Sequence, residues 1–424
     1  MVDNINAFHI QGCVPLNGIV SIGGSKNAAT PILAATLLTS EPCRLENVPR
    51  IQDVESMIEV LRMLGAQATW QDEHTIVIEA KDIKPVITEE ARVLMRRMRS
   101  SVLFFGPLLA RFGEVDLPYP GGCDIGARPI DTHLNAFRDM GYEIREEEKW
   151  IKIYKTSHER PSEIILSEFS VTATENILMA LALGNGECTI HIAAAEPHVQ
   201  DLCGFLEAIG VEIKGIGSHD LTVRGAKSLH GANHRIIPDP IETGTFLIAA
   251  LATKGDVQIQ NAAPKHLALI LKLLREHGAL IEEGDASLHV RSCDVVSLGR
   301  VQAMPYPGIP TDLQSLFAVL ATQTPGQTLI HDPLYEGRMK VLGELVKLGA
   351  SVKILDEHRA VIEGGVKLSG ANVEGHDLRG TAALVIAAIC ARGESVVYGV
   401  EHIDRGYESI DKKLQGLGAK IERV

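Results

Sequence analysis

Aromatic side chains are scarce in this chain of 424 residues, where Phe, Trp and Tyr together make up 4%. Proteins that bind single-stranded nucleic acid use aromatic faces on which the bases stack. The net charge of −13 also gives polyanions no general attraction to the chain. We therefore expect no nucleic-acid partner. An anionic ligand would have to be held by a local cluster of arginine and lysine side chains.

Long apolar runs are missing as well. No stretch approaches the length of a membrane span, and residues 1–8 have no apolar signal core. The seven cysteines are scattered and include no Cys-x-x-Cys pair, and His230 and His234 lack a third ligand, so we predict no metal site. Scattered, unpaired cysteines fit a reducing compartment. We expect a cytoplasmic protein without membrane insertion.

A repeat runs through the whole chain. Six short segments have a glycine where a predicted helix ends and a predicted strand begins, and these glycines are spaced by 76, 69, 68, 71 and 69 residues. Such regularity indicates a repeated unit, and the glycine fits a left-handed helix cap. The six marker glycines are Gly65, Gly141, Gly210, Gly278, Gly349 and Gly418.

Each repeat alternates helix and strand, which predicts an α/β fold. An apolar helix rich in small residues is followed by a strand, an amphipathic helix, the marker glycine and a further strand. In the third repeat we predict helices over 171–183 and 199–209, and strands over 188–192 and 211–214. A chain of this length needs more than one core, so six repeats divide into two domains of three. The polar segment 227–233 is the natural crossing.

Charged residues recur at two places in the repeat, where the first and the second helix begin. Helix N-termini favour anions because their N–H groups lack partners. If both places face one cleft, six cations converge on a small, multiply charged anion. The alternative is that they form solvated caps and surface salt bridges, which contribute little. We favour the site for the whole set, which comprises Lys26, Arg99, Arg128, Arg338, Arg379 and Arg405.

One cysteine lies in an unusual segment, residues 120–131. Gly121 and Gly122 precede Cys123, and Arg128 follows it. Pro129 suits the first position of a helix and Asp131 suits its first turn. A thiol beside a helix N-terminus and a guanidinium ionises more easily than a free one. We interpret Cys123 as a reactive thiol rather than as a small buried apolar side chain.

These motifs together resemble the enolpyruvyl transferases, nearly from end to end. The resemblance rests on segments 24–28, 120–131, 170–174, 238–245, 310–312 and 402–408. It implies two domains of threefold pseudo-symmetric repeats, described as an inside-out α/β barrel. The first domain would span 22–232 and carry the cysteine loop, and the second would combine 1–21 with 233–424. The active site would lie in the interdomain cleft.

The resemblance also implies a reaction. The enolpyruvyl group of phosphoenolpyruvate moves to the 3′-hydroxyl of UDP-N-acetylglucosamine, and phosphate is released through a tetrahedral ketal. This is the first committed step of peptidoglycan synthesis. No cofactor or metal is implied, and we expect a monomer or weak oligomer. Two alternatives stay open, a 3-phosphoshikimate 1-carboxyvinyltransferase and a non-catalytic paralogue that binds UDP-sugars.

Residue roles follow from the same resemblance. Cys123 corresponds to the proposed proton donor of the family, with product release as its alternative role, and it is also a target of the epoxide phosphonate fosfomycin. Asp312 corresponds to the carboxylate near the 3′-hydroxyl. Lys26 and Arg405 are expected to be catalytic. The expected substrate-binding residues are Lys26, Asn27, Arg99, Arg128, Pro129, Ile130, Asp131, Thr132, Ser170, Val171, Asp312, Leu334, Arg338, Arg379 and Arg405. Glu168 and Phe169 replace a basic, smaller pair found in some relatives.

Overall fold

The chain folds into two compact units in a computed structural model that describes residues 6–121, 128–157 and 159–424. Within these residues, the first unit comprises 24–121 and 128–237, and the second unit comprises 6–23 and 238–424. In the parts of the chain that the structure describes, no helix is long and apolar enough to cross a membrane.

The described residues contain thirteen α-helices, which are α1 (Lys26–Ala35), α2 (Gln52–Met63), α3 (Glu89–Met95), α4 (Phe105–Phe112), α5 (Asp131–Asp139), α6 (Val171–Ala180), α7 (Pro197–Ala208), α8 (Pro240–Ala252), α9 (Ala268–Glu276), α10 (Gln314–Gln323), α11 (Lys340–Lys347), α12 (Leu378–Cys390) and α13 (Ile410–Gly416). Short 3₁₀ turns precede several of them, among them Arg99–Phe104, Thr311–Leu313, Glu336–Met339 and Val400–Arg405.

The strands of the described residues are β1 (Ala7–Gln11), β2 (Asn17–Ser21), β3 (Cys43–Glu46), β4 (Gln67–Trp70), β5 (Ile76–Glu79), β6 (Glu114–Pro118), β7 (Tyr142–Glu146), β8 (Trp150–Lys155), β9 (Glu163–Ile165), β10 (Glu187–His191), β11 (Glu212–Lys214), β12 (Asp220–Arg224), β13 (Asn233–Arg235), β14 (Asp256–Gln260), β15 (Leu280–Gly284), β16 (Ser287–Arg291), β17 (Arg300–Gln302), β18 (Gly326–His331), β19 (Ser351–Ile354), β20 (Arg359–Gly364), β21 (Asn372–Glu374), β22 (Glu394–Tyr398) and β23 (Lys420–Arg423).

The mixed α/β repeat predicted from the sequence is confirmed. In the third repeat, α6, β10, α7 and β11 follow one another within a few residues of the predicted bounds. All six marker glycines have positive φ, between 82° and 113°. Only glycine adopts such a conformation without strain, and it reverses the chain from the amphipathic helix into the next strand.

Among the described residues, each repeat contributes one small sheet, which gives three sheets in each unit. The sheets of the first unit have the strand orders β13-β3-β5-β4, β6-β8-β7 and β11-β12-β10-β9. Those of the second unit are β15-β16-β14-β2, β17-β18-β20-β19 and β21-β22-β1-β23. The N-terminal strands β1 and β2 belong to the second unit, since β1 pairs with β22 and β23 while β2 pairs with β14.

The apolar helices form the centre of each unit. Every residue of α8 is buried, and so are twelve of the thirteen residues of α12. Both helices contact α10 in the second unit, and α4 contacts α6 in the first. Because these helices are covered all round, their N-terminal ends are the places where polar side chains can meet a ligand.

The crossing between the units differs slightly from the predicted boundary at 232. Strand β13 pairs in parallel with β3 of the first unit. The backbone N–H of Ile236 then donates to Glu46, and that of Ser25 donates to Ile237. Residues 233–237 therefore lie in the first unit, because their backbone groups complete its sheet.

Candidate active site

Asp312 lies in a 3₁₀ turn before α10, and two arginines hold its carboxylate. Oδ1 accepts a hydrogen bond from Nη2 of Arg338 at 2.5 Å, and Oδ2 accepts one from Nε of Arg379 at 3.0 Å. Arg338 belongs to the 3₁₀ turn before α11, and Arg379 is the second residue of α12. Three residues predicted from the sequence therefore meet in one cluster of the second unit.

Asp377 fixes the geometry of this cluster. Its Oδ1 accepts hydrogen bonds from the backbone N–H groups of Arg379 and Gly380 at 3.0 and 3.1 Å, which caps α12. The same oxygen accepts one from Nη1 of Arg338 at 3.2 Å. One carboxylate therefore orients Arg338 and also the first turn of the helix that carries Arg379.

The two arginines retain hydrogen-bonding capacity. They are 4% and 2% exposed, and among the described residues Nε of Arg338 and Nη1 of Arg379 are buried without an acceptor. A buried donor left unsatisfied costs about 1–3 kcal/mol, and more when it is charged. Guanidinium groups bind carboxylates and phosphates through paired N–H donors. The cluster is thus suited to binding a second anion.

Arg379 depends on the surrounding carboxylates for its charge. Burial of Arg379 disfavours its cationic form, but Asp312, followed by Tyr407 and Asp239, outweighs burial and raises the pKa of the guanidinium above its ordinary value. Arg379 therefore keeps its positive charge although it is buried.

Two further predicted residues of the second unit lie on turns. Leu334 is 42% exposed, and its backbone N–H donates to Oδ1 of Asp332 at 2.9 Å. The buried carboxylate of Asp332 also accepts hydrogen bonds from the hydroxyl of Thr311 and the N–H of Tyr335. Arg405 is half-buried at the end of the 3₁₀ turn Val400–Arg405.

In the first unit, Lys26 and Asn27 begin α1. Ser25 caps this helix by accepting a hydrogen bond from the N–H of Ala28. The ammonium group of Lys26 lies 2.8 Å from Oδ2 of Asp53, and the Lys26 side chain is 16% exposed. Asp53 stands in the first turn of α2. The helix starts of one repeat therefore bring together a cation and an anion.

The segment that precedes α5 lies against the 3₁₀ turn Arg99–Phe104. Nη2 of Arg99 donates to the carbonyl oxygen of Pro129 at 3.1 Å. Helix α5 begins at Asp131, with Ile130 as its N-cap. Pro129 therefore precedes the helix and does not occupy its first position, contrary to our expectation. Arg128 is half-buried.

The first turns of α5 and α6 lie side by side. The hydroxyl of Thr132 donates to Oε1 of Glu168 at 3.0 Å, and Nε2 of His133 is 2.8 Å from the hydroxyl of Thr172. Burial, followed by the charge of Arg99, lowers the pKa of His133 to about 3, so its ring is neutral. The predicted residues Thr132, Ser170 and Val171 thus belong to one pair of adjacent helix N-termini.

Known proteins are similar to this chain over nearly its whole length. The family model described as EPSP synthase (3-phosphoshikimate 1-carboxyvinyltransferase) matches residues 10–414. The chain is 42% identical over 423 residues to UDP-N-acetylglucosamine 1-carboxyvinyltransferase of Koribacter versatilis (strain Ellin345), covering 99% of this chain and 97% of the relative. It is also 42% identical to UDP-N-acetylglucosamine 1-carboxyvinyltransferase 1 of Carboxydothermus hydrogenoformans (strain ATCC BAA-161 / DSM 6008 / Z-2901), covering 98% of each chain.

The chain belongs to the EPSP synthase family. Solved structures agree on the fold. The enolpyruvyl transferase NikO from Streptomyces tendae matches with a TM-score of 0.89 at 24% identity over 99% of both chains. An EPSP synthase from Acinetobacter baumannii matches with a TM-score of 0.76 at 18% identity, over 99% of this chain and 100% of the other. The resemblance to enolpyruvyl transferases is confirmed, and so is the predicted fold class.

Cys123, the predicted reactive thiol, lies outside the described residues. The structure does explain why Gly121, two residues before it, is a glycine. A Cβ atom on Gly121 would lie 1.7 Å from the carbonyl oxygen of Arg96. The backbone that leads into the cysteine segment therefore passes too close to Arg96 for any other residue.

Sequence reasoning missed two residues that shape this EPSP synthase family site. Asp332 fixes the turn that carries Leu334, and Tyr407 packs against Arg379. Asp332 stands between His331 and Pro333, which marks a turn without indicating a buried carboxylate. Tyr407 follows Arg405 by two residues, and this proximity was the available signal.

Proposed function

We propose that the chain is a UDP-N-acetylglucosamine 1-carboxyvinyltransferase. It would transfer the enolpyruvyl group of phosphoenolpyruvate to the 3′-hydroxyl of UDP-N-acetylglucosamine and release phosphate. The shared name of relatives that are 42% identical over nearly the whole chain supports this activity. The reaction would be the first committed step of peptidoglycan synthesis, in the cytoplasm, by a monomer or weak oligomer without metal or cofactor.

The observation that carries the proposal is the arginine pair on Asp312. Phosphoenolpyruvate has a carboxylate and a phosphate, and each is a bidentate partner for a guanidinium. Nε of Arg338 and Nη1 of Arg379 are buried donors for which the described residues supply no acceptor. An anionic substrate would satisfy them, and their hydrogen bonds would exclude water from the reacting atoms.

Asp312 would accept the proton of the 3′-hydroxyl. The hydroxyl oxygen then bonds to C2 of phosphoenolpyruvate, while C3 gains a proton from an acid, and a tetrahedral ketal forms. In the second half, C3 loses a proton, the bond from C2 to the phosphate oxygen breaks, and the double bond returns. A positioned carboxylate can accelerate such proton transfer by about 10²–10⁴-fold. Cys123 would be the acid or would act in product release.

The remaining predicted residues would bind the substrates. Lys26, Arg128 and Arg405 would bind phosphoenolpyruvate together with the arginine pair, and Asn27 would lie near both substrates. Helix N-termini bind phosphate groups through free N–H donors. The adjacent first turns of α5 and α6 therefore support a nucleotide-sugar site, comprising Arg99, Arg128, Pro129, Ile130, Asp131, Thr132, Ser170, Val171 and Leu334.

Phosphate release tests this function. Purified protein is mixed with phosphoenolpyruvate and either UDP-N-acetylglucosamine or 3-phosphoshikimate, and inorganic phosphate is measured. We expect release with the nucleotide sugar alone. Asp312→Asn should lose at least about 100-fold in kcat, because the amide accepts no proton. Asp356→Asn is the matched control, since Asp356 is exposed and pairs with Arg359 on the surface.

The other outcomes identify the alternatives. Release of phosphate with 3-phosphoshikimate alone would show that the protein is a 3-phosphoshikimate 1-carboxyvinyltransferase. No release with either acceptor, together with calorimetric binding of UDP-N-acetylglucosamine, would indicate a non-catalytic UDP-sugar-binding protein.

A further inference from the structure

Tyr407 is the largest fully buried side chain in the second unit, and it is 2% exposed. It lies two residues beyond Arg405, and the guanidinium carbon of Arg379 is 5.1 Å from the centroid of its ring. Its hydroxyl is 2.8 Å from Oγ1 of Thr245 on α8. One buried phenol ring therefore contacts a cation through its face and a polar side chain through its hydroxyl.

The hydrogen bonds of this tyrosine run in one direction. Thr245 donates its single hydroxyl proton to the carbonyl oxygen of Ile241 at 2.8 Å. The oxygen of Thr245 therefore accepts the phenol proton of Tyr407. Through Thr245, the backbone of α8 anchors the ring that contacts Arg379.

Two side chains restrain Arg379. Nε of Arg379 donates to Asp312, and the ring of Tyr407 lies against the guanidinium group. Nη1 is left without an acceptor among the described residues. Tyr407 thus helps to fix the guanidinium group whose Nη1 is available for a ligand.

We propose that Tyr407 is a positioning residue for phosphoenolpyruvate, acting through Arg379 and anchored by Thr245. The inference rests on the proposed function and extends it, because it assigns a substrate-specific effect to a residue that touches no substrate. The same tyrosine packs the segment after Arg405 against α8, so one side chain sets the position of two substrate-binding cations.

Tyr407→Phe tests the proposal, since it keeps the ring and removes only the hydroxyl. We expect KM for phosphoenolpyruvate to rise about 3–10-fold, the effect of losing the one neutral hydrogen bond that anchors the ring beside Arg379. KM for the nucleotide sugar should stay within about twofold, since no hydrogen bond to that substrate is lost. Thr245→Val should raise KM for phosphoenolpyruvate by a similar factor, because it removes the same hydrogen bond from its other end. Tyr398→Phe is the control, a half-buried tyrosine on β22 of the same unit.

Two results would overturn the proposal. One is an unchanged KM for phosphoenolpyruvate in Tyr407→Phe. The other is an equal rise of both KM values with a large drop in melting temperature, which would indicate a purely structural role. Calorimetric titration with phosphoenolpyruvate separates this failure from that of the proposed function. A wild type that binds phosphoenolpyruvate without turnover overturns the function alone, whereas equal affinities of wild type and Tyr407→Phe overturn the role of Tyr407.

Discussion

At the scale of single residues, the charges around Asp312 balance one another. Arg338 and Arg379 supply two positive charges, and Asp312 and Asp377 supply two negative ones. A buried charge that loses its partner destabilises a protein by about 3–5 kcal/mol. A substrate anion that binds the arginines would add negative charge to this balance and weaken their hold on Asp312. The carboxylate of Asp312 would then be a better proton acceptor than it is without substrate.

Residues of this cluster could be found in the sequence because they are in register with the repeat. Asp312, Arg338 and Arg379 all stand at helix starts, and helix starts can be predicted from local patterns. Asp332 and Tyr407 could not be found in this way, because their roles depend on contacts with residues distant in the chain, Thr311 for Asp332 and Thr245 for Tyr407. The position of Tyr407 beside Arg405 is a local signal, but it does not indicate a buried phenol.

Cys123 gives the first prediction at this scale. Cys123→Ser should largely abolish alkylation by an epoxide phosphonate such as fosfomycin, because a thiolate opens an epoxide and a serine hydroxyl does not. Intact-protein mass spectrometry measures the added mass. Cys13→Ser is the control, since Cys13 is an exposed cysteine in the second unit and its loss should leave labelling intact. Undiminished labelling of the Cys123→Ser protein would contradict the assignment.

At the scale of elements, the marker glycines connect the sequence to the fold most directly. Gly349 ends the turn after α11 with φ of 91°. Gly343 lies inside the same helix, and a Cβ atom there would meet nothing within 4 Å. Glycine in a helix interior is destabilising relative to alanine, whereas a side chain in the left-handed region is strained. The two positions therefore predict opposite effects of one substitution.

Gly349→Ala should destabilise the protein by about 1 kcal/mol, and Gly343→Ala should stabilise it by about 0.5–1 kcal/mol. Denaturation by urea, followed by circular dichroism, measures both midpoints against the wild type. The two variants are controls for each other, because the added methyl group is the same and the helix is the same. Shifts of equal sign would contradict the capping role of Gly349.

The sheets could be predicted only in part from the sequence. In each repeat, the hydrophobic periodicity and the marker glycine predict the helices and the hairpin strands. The parallel edge strands β2, β9, β13, β17 and β21 are different, because the sequence signals at their positions are weak. All of them except β2 are only three residues long. Their partners lie in the following or a distant repeat, so pairing is decided by tertiary contacts.

At the scale of the whole molecule, the net charge of −13 counts Glu175 as ionised, although burial favours its protonated form. Glu175 on α6 is 1% exposed. Burial, followed by the charge of Glu196, raises the pKa of Glu175 well above its ordinary value. In the unfolded chain Glu175 would ionise at the ordinary glutamate pKa of 4.5. Above that pH the unfolded state therefore binds fewer protons than the folded state, and stability falls as pH rises.

Glu175→Gln removes this titration and keeps the shape of the protonated side chain. The stabilisation of Glu175→Gln relative to wild type should therefore grow between pH 5 and pH 8, by at most about 1.4 kcal/mol for each pH unit below the folded-state pKa. Urea denaturation at a series of pH values measures it. Glu207→Gln on α7 is the control, because Glu207 is exposed and its substitution should give a small difference independent of pH. If the difference for Glu175→Gln were also constant, Glu175 would be ionised in the folded protein, as a buried charge beside the half-buried Glu196.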